Sequence, residues 1–278
     1  MTRRNKVPSS VKEILLYCIL TVIVVFYLFP FLWLVSTSVK PTFEQLAIPP
    51  VFVTHNPTLE NFKDSIQSQY RLIINSLLVA FCSTGISLLV GSFGGYAFSR
   101  FRFPGSGMLF FLVLTTRMFP PISIVIPIFL LMRNFQLLDS PLGLIVAYIS
   151  FQLPFMVWMM RSFFVGIPRD TEDSARVDGC SRLGAFLRVV LPMALPGAAA
   201  AGIIGFLTSW NEFIFALILT NTDVAKTMPV GIAENVTAFS VRWGQMAAGA
   251  TVFTVPVLLL SVVVQRYIVS GMTLGAVK

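Results

Sequence analysis

The chain has 278 residues, of which 56% are hydrophobic and 12% charged, and its mean hydropathy is +0.82. That composition, with 26 Phe and a net charge of +8, argues against one or two soluble domains and describes a polytopic membrane protein, in which the placement of positive charge matters more than its total. Cys18, Cys82 and Cys180 offer neither a disulfide framework nor metal spacing, and the single histidine, His55, stands in a polar loop where a solvated side chain is expected.

Residues 1–13 carry Arg3, Arg4, Lys6 and Lys12 ahead of a charge-free run, 14–39. That run exceeds the ~20 residues that cross a bilayer core. It is too long for a secretory signal and lacks a small-x-small cleavage site, so a retained span is predicted, kinked or ended near Pro30. A Pro-rich polar loop, 40–71, leads to a second charge-free run, 72–99, whose Gly91, Gly94 and Gly95 suit close helix approach in lipid. No Gly-Lys-Ser/Thr follows these glycines or occurs elsewhere, so the chain has no phosphate loop of its own for ATP.

After the turn 100–107, a third run contains Arg117 and is broken by Pro120, Pro121 and Pro127. The expected spans are 14–36, 72–98, 108–132, 141–161, 197–220 and 250–269: an all-α polytopic membrane protein with six transmembrane helices. Of the twenty Lys and Arg residues, thirteen fall in the terminal segments, the 100–107 turn and the polar stretch of loop 166–196 with Arg161 just upstream of it. Six fall in the opposite loops. The positive-inside rule then puts both termini and the polar stretch in the cytoplasm.

That polar stretch, within loop 166–196, is predicted to be a helical hairpin. Asp170 or Thr171 is expected to cap its first helix, with Glu172 and Asp173 favourably placed in the first turn. Gly179 supplies the positive φ of a helix end, and Ser181 caps a second helix. Leu183, Phe186, Leu187 and Val190 form one apolar stripe there, ended by Pro192. An ordinary interhelical loop is the plainer reading.

Two further groups stand inside apolar runs. Arg117 lines an aqueous path for a polar solute, or is a structural or snorkelling cation. Asn211 and Glu212, beside Trp210, contact a solute or pair with a neighbouring helix. One histidine and no nucleophile–base–acid set leave no enzyme signature.

The hairpin resembles the cytoplasmic motif of ATP-binding-cassette importer permeases, EAA-x3-G-x9-I-x-LP. Asp173-Ser174-Ala175 stands for EAA, Gly179 follows, and Val189-x-Leu191-Pro192 closes the motif at matching spacing. Phe29–Trp33, Ser38-Val39-Lys40, Asn75-Ser76-Leu77, Tyr96–Arg100, Leu153-Pro154-Phe155, Trp210–Phe213 and Gly275–Lys278 extend the resemblance to the carbohydrate-type, maltose/trehalose-like permeases over nearly the whole length. The resemblance implies an inner-membrane permease for a sugar or sugar-like solute, working with a second permease, two ATPase subunits and an extracytoplasmic solute-binding protein. ATP and Mg would sit on the ATPases, with no cofactor, metal or nucleic acid on this chain. Glu172, Asp173, Ser174, Ala175, Asp178, Gly179, Leu183 and Phe186 would couple the hairpin to the ATPase. Loop 221–249 would reach toward the binding protein, and the tail 271–278 would lie against the ATPases. An ion-gradient-driven carrier or channel is the alternative from another class.

Overall fold

The structure is a computed structural model that describes residues 9–274, with side chains described over 13–262. The basic residues before Ser9, the Arg266 side chain and the closing Gly275–Lys278 lie outside the described residues. Those described are all-α apart from an isolated bridge between Val236 and Val241. In order the helices are α1 (Ser9–Ser38), α2 (Thr42–Gln45), α3 (Glu60–Arg100) and α4 (Ser106–Thr115), which continues as a 3-10 turn, Thr116–Met118. Next come α5 (Pro121–Asn134), α6 (Pro141–Val165), α7 (Arg169–Val177) and α8 (Arg182–Ala185), which passes through a π-helical turn, Phe186–Val190, into α9 (Leu191–Met193). The last are α10 (Leu195–Trp210), α11 (Ile214–Leu219), α12 (Met228–Ala233) and α13 (Trp243–Leu274).

By length and composition α1, α3, α6 and α13 are each able to cross a membrane. Two bent pairs, α4 with α5 (100°) and the α8–α9 stretch with α10 (75°), raise the number from 4 to 6 if each is one span. The helices depart from the expected apolar runs at three places. α3 starts at Glu60, twelve residues before its apolar run, because Ser65 and Gln69 on this polar section are buried. α13 starts at Trp243. The run 197–220 is not one helix: Asn211–Phe213 separate α10 from α11. The break expected at Pro120 and Pro121 is present, with Pro120 extended and Pro121 opening α5, where its missing N–H is harmless.

Internal contacts divide the chain into two compact units. The first comprises the chain to Ser68 together with Asn235–Val252. Within it, none of the apolar window of α1 is buried, so that surface is left for lipid or another chain. The corner after α1 is closed by amides: Asn61 Nδ2 donates to the carbonyls of Ser38 (3.0 Å) and Lys40 (2.9 Å), and Gln45 accepts the Gly244 amide at 2.9 Å. A Cβ on Gly244 would overlap the Gln45 and Asn61 side chains. Lys40 is buried with its Nζ 3.9 Å from the Trp33 ring centroid; burial lowers its pKa, opposed by Glu44.

The second unit comprises Gln69–Glu234 and the chain from Phe253. Here α3 lies directly against α6: a Cβ on Gly91 would overlap Met156 Cβ, and one on Gly95 would fall 2.6 Å from the Arg161 amide nitrogen. A polar seam crosses α3, α6 and α10. Ser83 bonds Ser209 at 2.9 Å, and Gln152 donates to Ser209 and to the Gly205 carbonyl (3.1 Å). Buried polar groups in a bilayer need partners of this kind.

Between α5 and α6, Asp139 at φ 52° accepts the amides of Asn221 (2.8 Å) and Thr222 (2.9 Å) and the Thr222 hydroxyl (2.7 Å). Partial burial acts to raise its carboxyl pKa, but these hydrogen bonds, with Lys226, outweigh it and hold the value below the usual range. A depressed carboxyl stabilises the fold above its unfolded pKa, and that contribution is lost as pH falls through the folded value. Asp139→Ala is therefore expected to lower stability by about 1–2 kcal/mol at neutral pH. Thermal unfolding in detergent should show the deficit above about pH 4 and its disappearance at lower pH.

Candidate functional site

The polar stretch folds as α7, a turn at Gly179 and a second helical limb made of α8, the π-helical turn and α9. Pro168 precedes α7 in an extended conformation, leaving Asp170 and Thr171 inside the helix rather than at its cap; no side chain caps the first amides. Gly179 takes φ 91°, and no atom lies within 4 Å of a Cβ placed there, so backbone conformation alone calls for glycine. Ser181 caps the second limb by accepting the Gly184 amide at 3.1 Å. Pro192 does not end that limb, which runs to Met193 before the chain bends at Ala194.

The two adjacent acids of α7 have opposite environments. Glu172 is buried, accepts the Tyr96 hydroxyl on Oε1, and pairs through Oε2 with Arg100 Nε at 2.9 Å. Arg100 also donates to the Ile167 carbonyl (3.0 Å), and Arg169 donates to the Ser99 carbonyl (3.3 Å). Asp173 faces outward with 65% of its side chain exposed, 3.4 Å from Arg176. A helix turns about 100° per residue, so one acid faces inward and the next faces water. Ser174, Val177, Asp178 and Leu183 are also exposed, and Ala175 is half-buried.

The expected single apolar stripe is divided. Phe186 and Val190 are buried, whereas Leu183 and Leu187 are exposed: at about 100° per residue the two pairs lie on adjoining edges of the stripe, and the edge carrying Phe186 and Val190 faces the core. Phe186 packs 4.4 Å from the Tyr96 ring, which also meets Phe164 edge-on at 6.0 Å. Phe186 therefore faces the chain's own core. Tyr96 and Arg100 carry the inner contacts, a role that sequence reasoning does not assign to them. Their i, i+4 spacing on one helix face is the available signal.

Among the described residues, Arg117 lies exposed in the 3-10 turn at the α4–α5 bend. It donates to the Phe151 carbonyl at 3.2 Å and stacks 5.2 Å over Phe155. The ion pairs found among described residues do not join it to Glu212. Glu212 instead accepts the amides of Phe215 (2.9 Å) and Ala216 (3.1 Å), capping α11. Asn211 is exposed and bonds the Leu207 carbonyl at 2.8 Å. Trp210 is 1% exposed, stacked by Phe206 and Phe253, with its ring N–H spent on the Phe253 carbonyl at 3.2 Å. Within this chain it is a packing residue, with no free face for a solute.

At the other end of the α3 section, Asn75 Nδ2 lies within hydrogen-bond reach of the carbonyls of Asp223 (3.1 Å), Val224 (3.1 Å) and Lys226 (3.0 Å). Ser76 Oγ accepts the Met228 amide at 2.8 Å. Asn75 and Ser76 thus hold the loop between α11 and α12.

The family described as binding-protein-dependent transport system inner membrane component matches residues 87–274. The chain is 36% identical over 253 residues to the sulfoquinovosyl glycerol transport system permease protein SmoH of Agrobacterium fabrum, covering 90% of this chain and 89% of that protein. It is 38% identical over 262 residues to the trehalose transport system permease protein SugB of Mycobacterium tuberculosis (93% and 95%). It is 33% identical over 275 residues to the trehalose/maltose transport system permease protein MalG of Thermococcus litoralis (96% and 97%). Among solved structures it matches a chain of a bacterial ABC transporter involved in import of the acidic polysaccharide alginate, with TM-score 0.81 at 21% identity over 96% of this chain and 99% of that one. That likeness establishes a shared fold.

Removing Glu172 would leave the buried Arg100 unpaired, a change that costs about 3–5 kcal/mol, whereas the exposed Asp173–Arg176 pair is worth at most about 1 kcal/mol. Thermal unfolding in detergent should therefore show a large loss for Glu172→Ala and almost none for Asp173→Ala.

Proposed function

The chain belongs to the family of binding-protein-dependent transport system inner membrane components, and on that premise we propose that it is a permease subunit of an ATP-binding-cassette importer carrying a sugar or sugar-like solute into the cytoplasm. The names of its relatives, which transport sulfoquinovosyl glycerol, trehalose and maltose, support the solute class. In this reading each bent pair is one span, giving six, with both termini and the α7–α9 segment in the cytoplasm. A second permease, two ATPase subunits holding ATP and Mg, and an extracytoplasmic binding protein complete the machine. A binding-protein-dependent family favours this over an ion-gradient-driven carrier.

The observation that carries the proposal is the exposed Asp173 beside the buried Glu172, on a short helix ended by Gly179 at positive φ. Asp173, Ser174, Ala175, Asp178, Gly179 and Leu183 form the face offered to the ATPase, with Asp173 meeting a basic group there. Glu172 and Phe186 hold that face in place from behind. Arg117 and Asn211 line the solute path at two helix breaks. Glu212 and Trp210 fix the second break, one by capping α11 and the other by filling the core.

Gly179→Val is expected to abolish uptake while the protein still inserts in the membrane. A β-branched residue at φ 91° is strained by more than the ~1–2 kcal/mol of an ordinary left-handed residue. Normal uptake by that variant would remove the turn from the coupling scheme. Arg117→Ala should alter the apparent solute affinity in uptake assays; unchanged kinetics would leave Arg117 as a tie between the α4–α5 bend and α6.

A further inference from the structure

We propose that α3 is a strut carrying motion between the ATPase-facing α7–α9 segment and the loop 221–234. The Glu172–Arg100–Tyr96 cluster is the joint at one end, and Asn75–Ser76 is the joint at the other. The inference rests on the coupling reading above and adds the route by which the two sides of the membrane communicate.

The spans of this chain differ in whether they are interrupted. Pro30 lies inside α1, Pro154 inside α6 and Pro256 inside α13, and the two remaining spans are bent by 100° and 75°. Only α3 has no proline among these long helices. Proline removes a helical hydrogen bond and kinks or breaks the helix. From Asn75 to Arg100 the helix is continuous and about 37 Å long at 1.5 Å per residue, enough to cross a ~30 Å hydrocarbon core. Gly91 and Gly95 seat it on α6 without side chains between the backbones, which restrains it from bowing.

Both ends are fastened by directional bonds in addition to apolar contacts. At one end, Glu172 takes Tyr96 and Arg100, Arg100 reaches the Ile167 carbonyl, and Arg169 returns a bond to Ser99. The Tyr96 ring lies against Phe186, so both limbs of the α7–α9 segment are held by one turn of α3. At the other end, Gln69 donates to the Gly231 carbonyl at 3.0 Å, a Cβ on Gly231 would overlap Leu72, Asn75 faces the 223–226 carbonyls, and Ser76 takes the Met228 amide. Lys226–Glu234 at 2.6 Å closes the same loop on itself. In the proposed topology this loop is external, on the side where a solute-binding protein docks. Displacement of α7 by an ATPase would thus move the loop, and docking on the loop would move α7.

The test uses the intact complex of this chain with its partner permease, ATPase subunits and binding protein. ATP hydrolysis is measured with and without solute-loaded binding protein, alongside co-purification of the ATPase. Glu172→Gln and Asn75→Ala are each expected to lower the stimulation ratio about tenfold with the ATPase still bound. The double variant should be no worse than either single one, because both break the same strut. Exchanging the charges, E172R with R100E, should restore much of the ratio lost in E172Q. Unaltered stimulation in both single variants, additive losses in the double, or release of the ATPase by E172Q would overturn the strut. A wild-type chain that co-purifies no ATPase would instead overturn the coupling reading, and the strut with it.

Discussion

A carboxylate taken out of water is unfavourable by several kcal/mol unless other groups replace its hydration, and the charged segment of this protein is arranged around one such group. Glu172 is accepted into the interior because Tyr96 and Arg100 supply donors to both its oxygens, while Arg100 in turn reaches the Ile167 carbonyl. The pair fixes which way α7 faces. With Glu172 turned inward, helical geometry sends Asp173 outward, and the exposed row continues through Ser174 and Asp178 to Gly179. The Tyr96 ring then serves as a floor for Phe186 and Phe164, so the end of α3, the end of α6 and the second limb of the segment meet at one place.

The same constraint shapes the apolar part of the chain. Irregular backbone at membrane depth persists only where its polar groups are satisfied within the protein or beside water. The break after α10 satisfies this rule through Glu212, which takes two amides at the start of α11, and through Trp210, whose N–H is bonded and whose faces are covered. The bend between α4 and α5 satisfies it through Arg117, bonded to the Phe151 carbonyl and stacked on Phe155. These two breaks differ in what they leave open. One is filled by its own aromatic core, and the other keeps a cation at the surface of the chain.

Much of the architecture is legible from local chemistry. Charge-free runs, Pro120-Pro121, the positive φ of Gly179 and the Ser181 cap are each dictated by residues within a few positions, and all appear in the structure. What escapes depends on contacts distant in sequence. Nothing near Glu172 reveals that Arg100, 72 residues earlier, will draw it inward. Nothing near Asn75 reveals that it will hold a loop about 150 residues away. Which edge of the Leu183–Val190 stripe turns inward is set by ring contacts of Phe186 with Tyr96 and Phe164 on other helices, which a 3.6-residue pattern does not contain. An aromatic beside two polar residues suggests a binding surface at Trp210, and its stacking on Phe253 from another helix is not visible in the sequence.

The division of labour between the two adjacent acids is tested most directly by cryo-electron microscopy of the intact complex in nucleotide-free and nucleotide-bound states. Glu172 and Arg100 are predicted to stay within ion-pair distance in both states, moving as one body with the end of α3, while Asp173 contacts the ATPase. Opening of the Glu172–Arg100 pair in either state, or Glu172 itself in the ATPase contact, would contradict this arrangement.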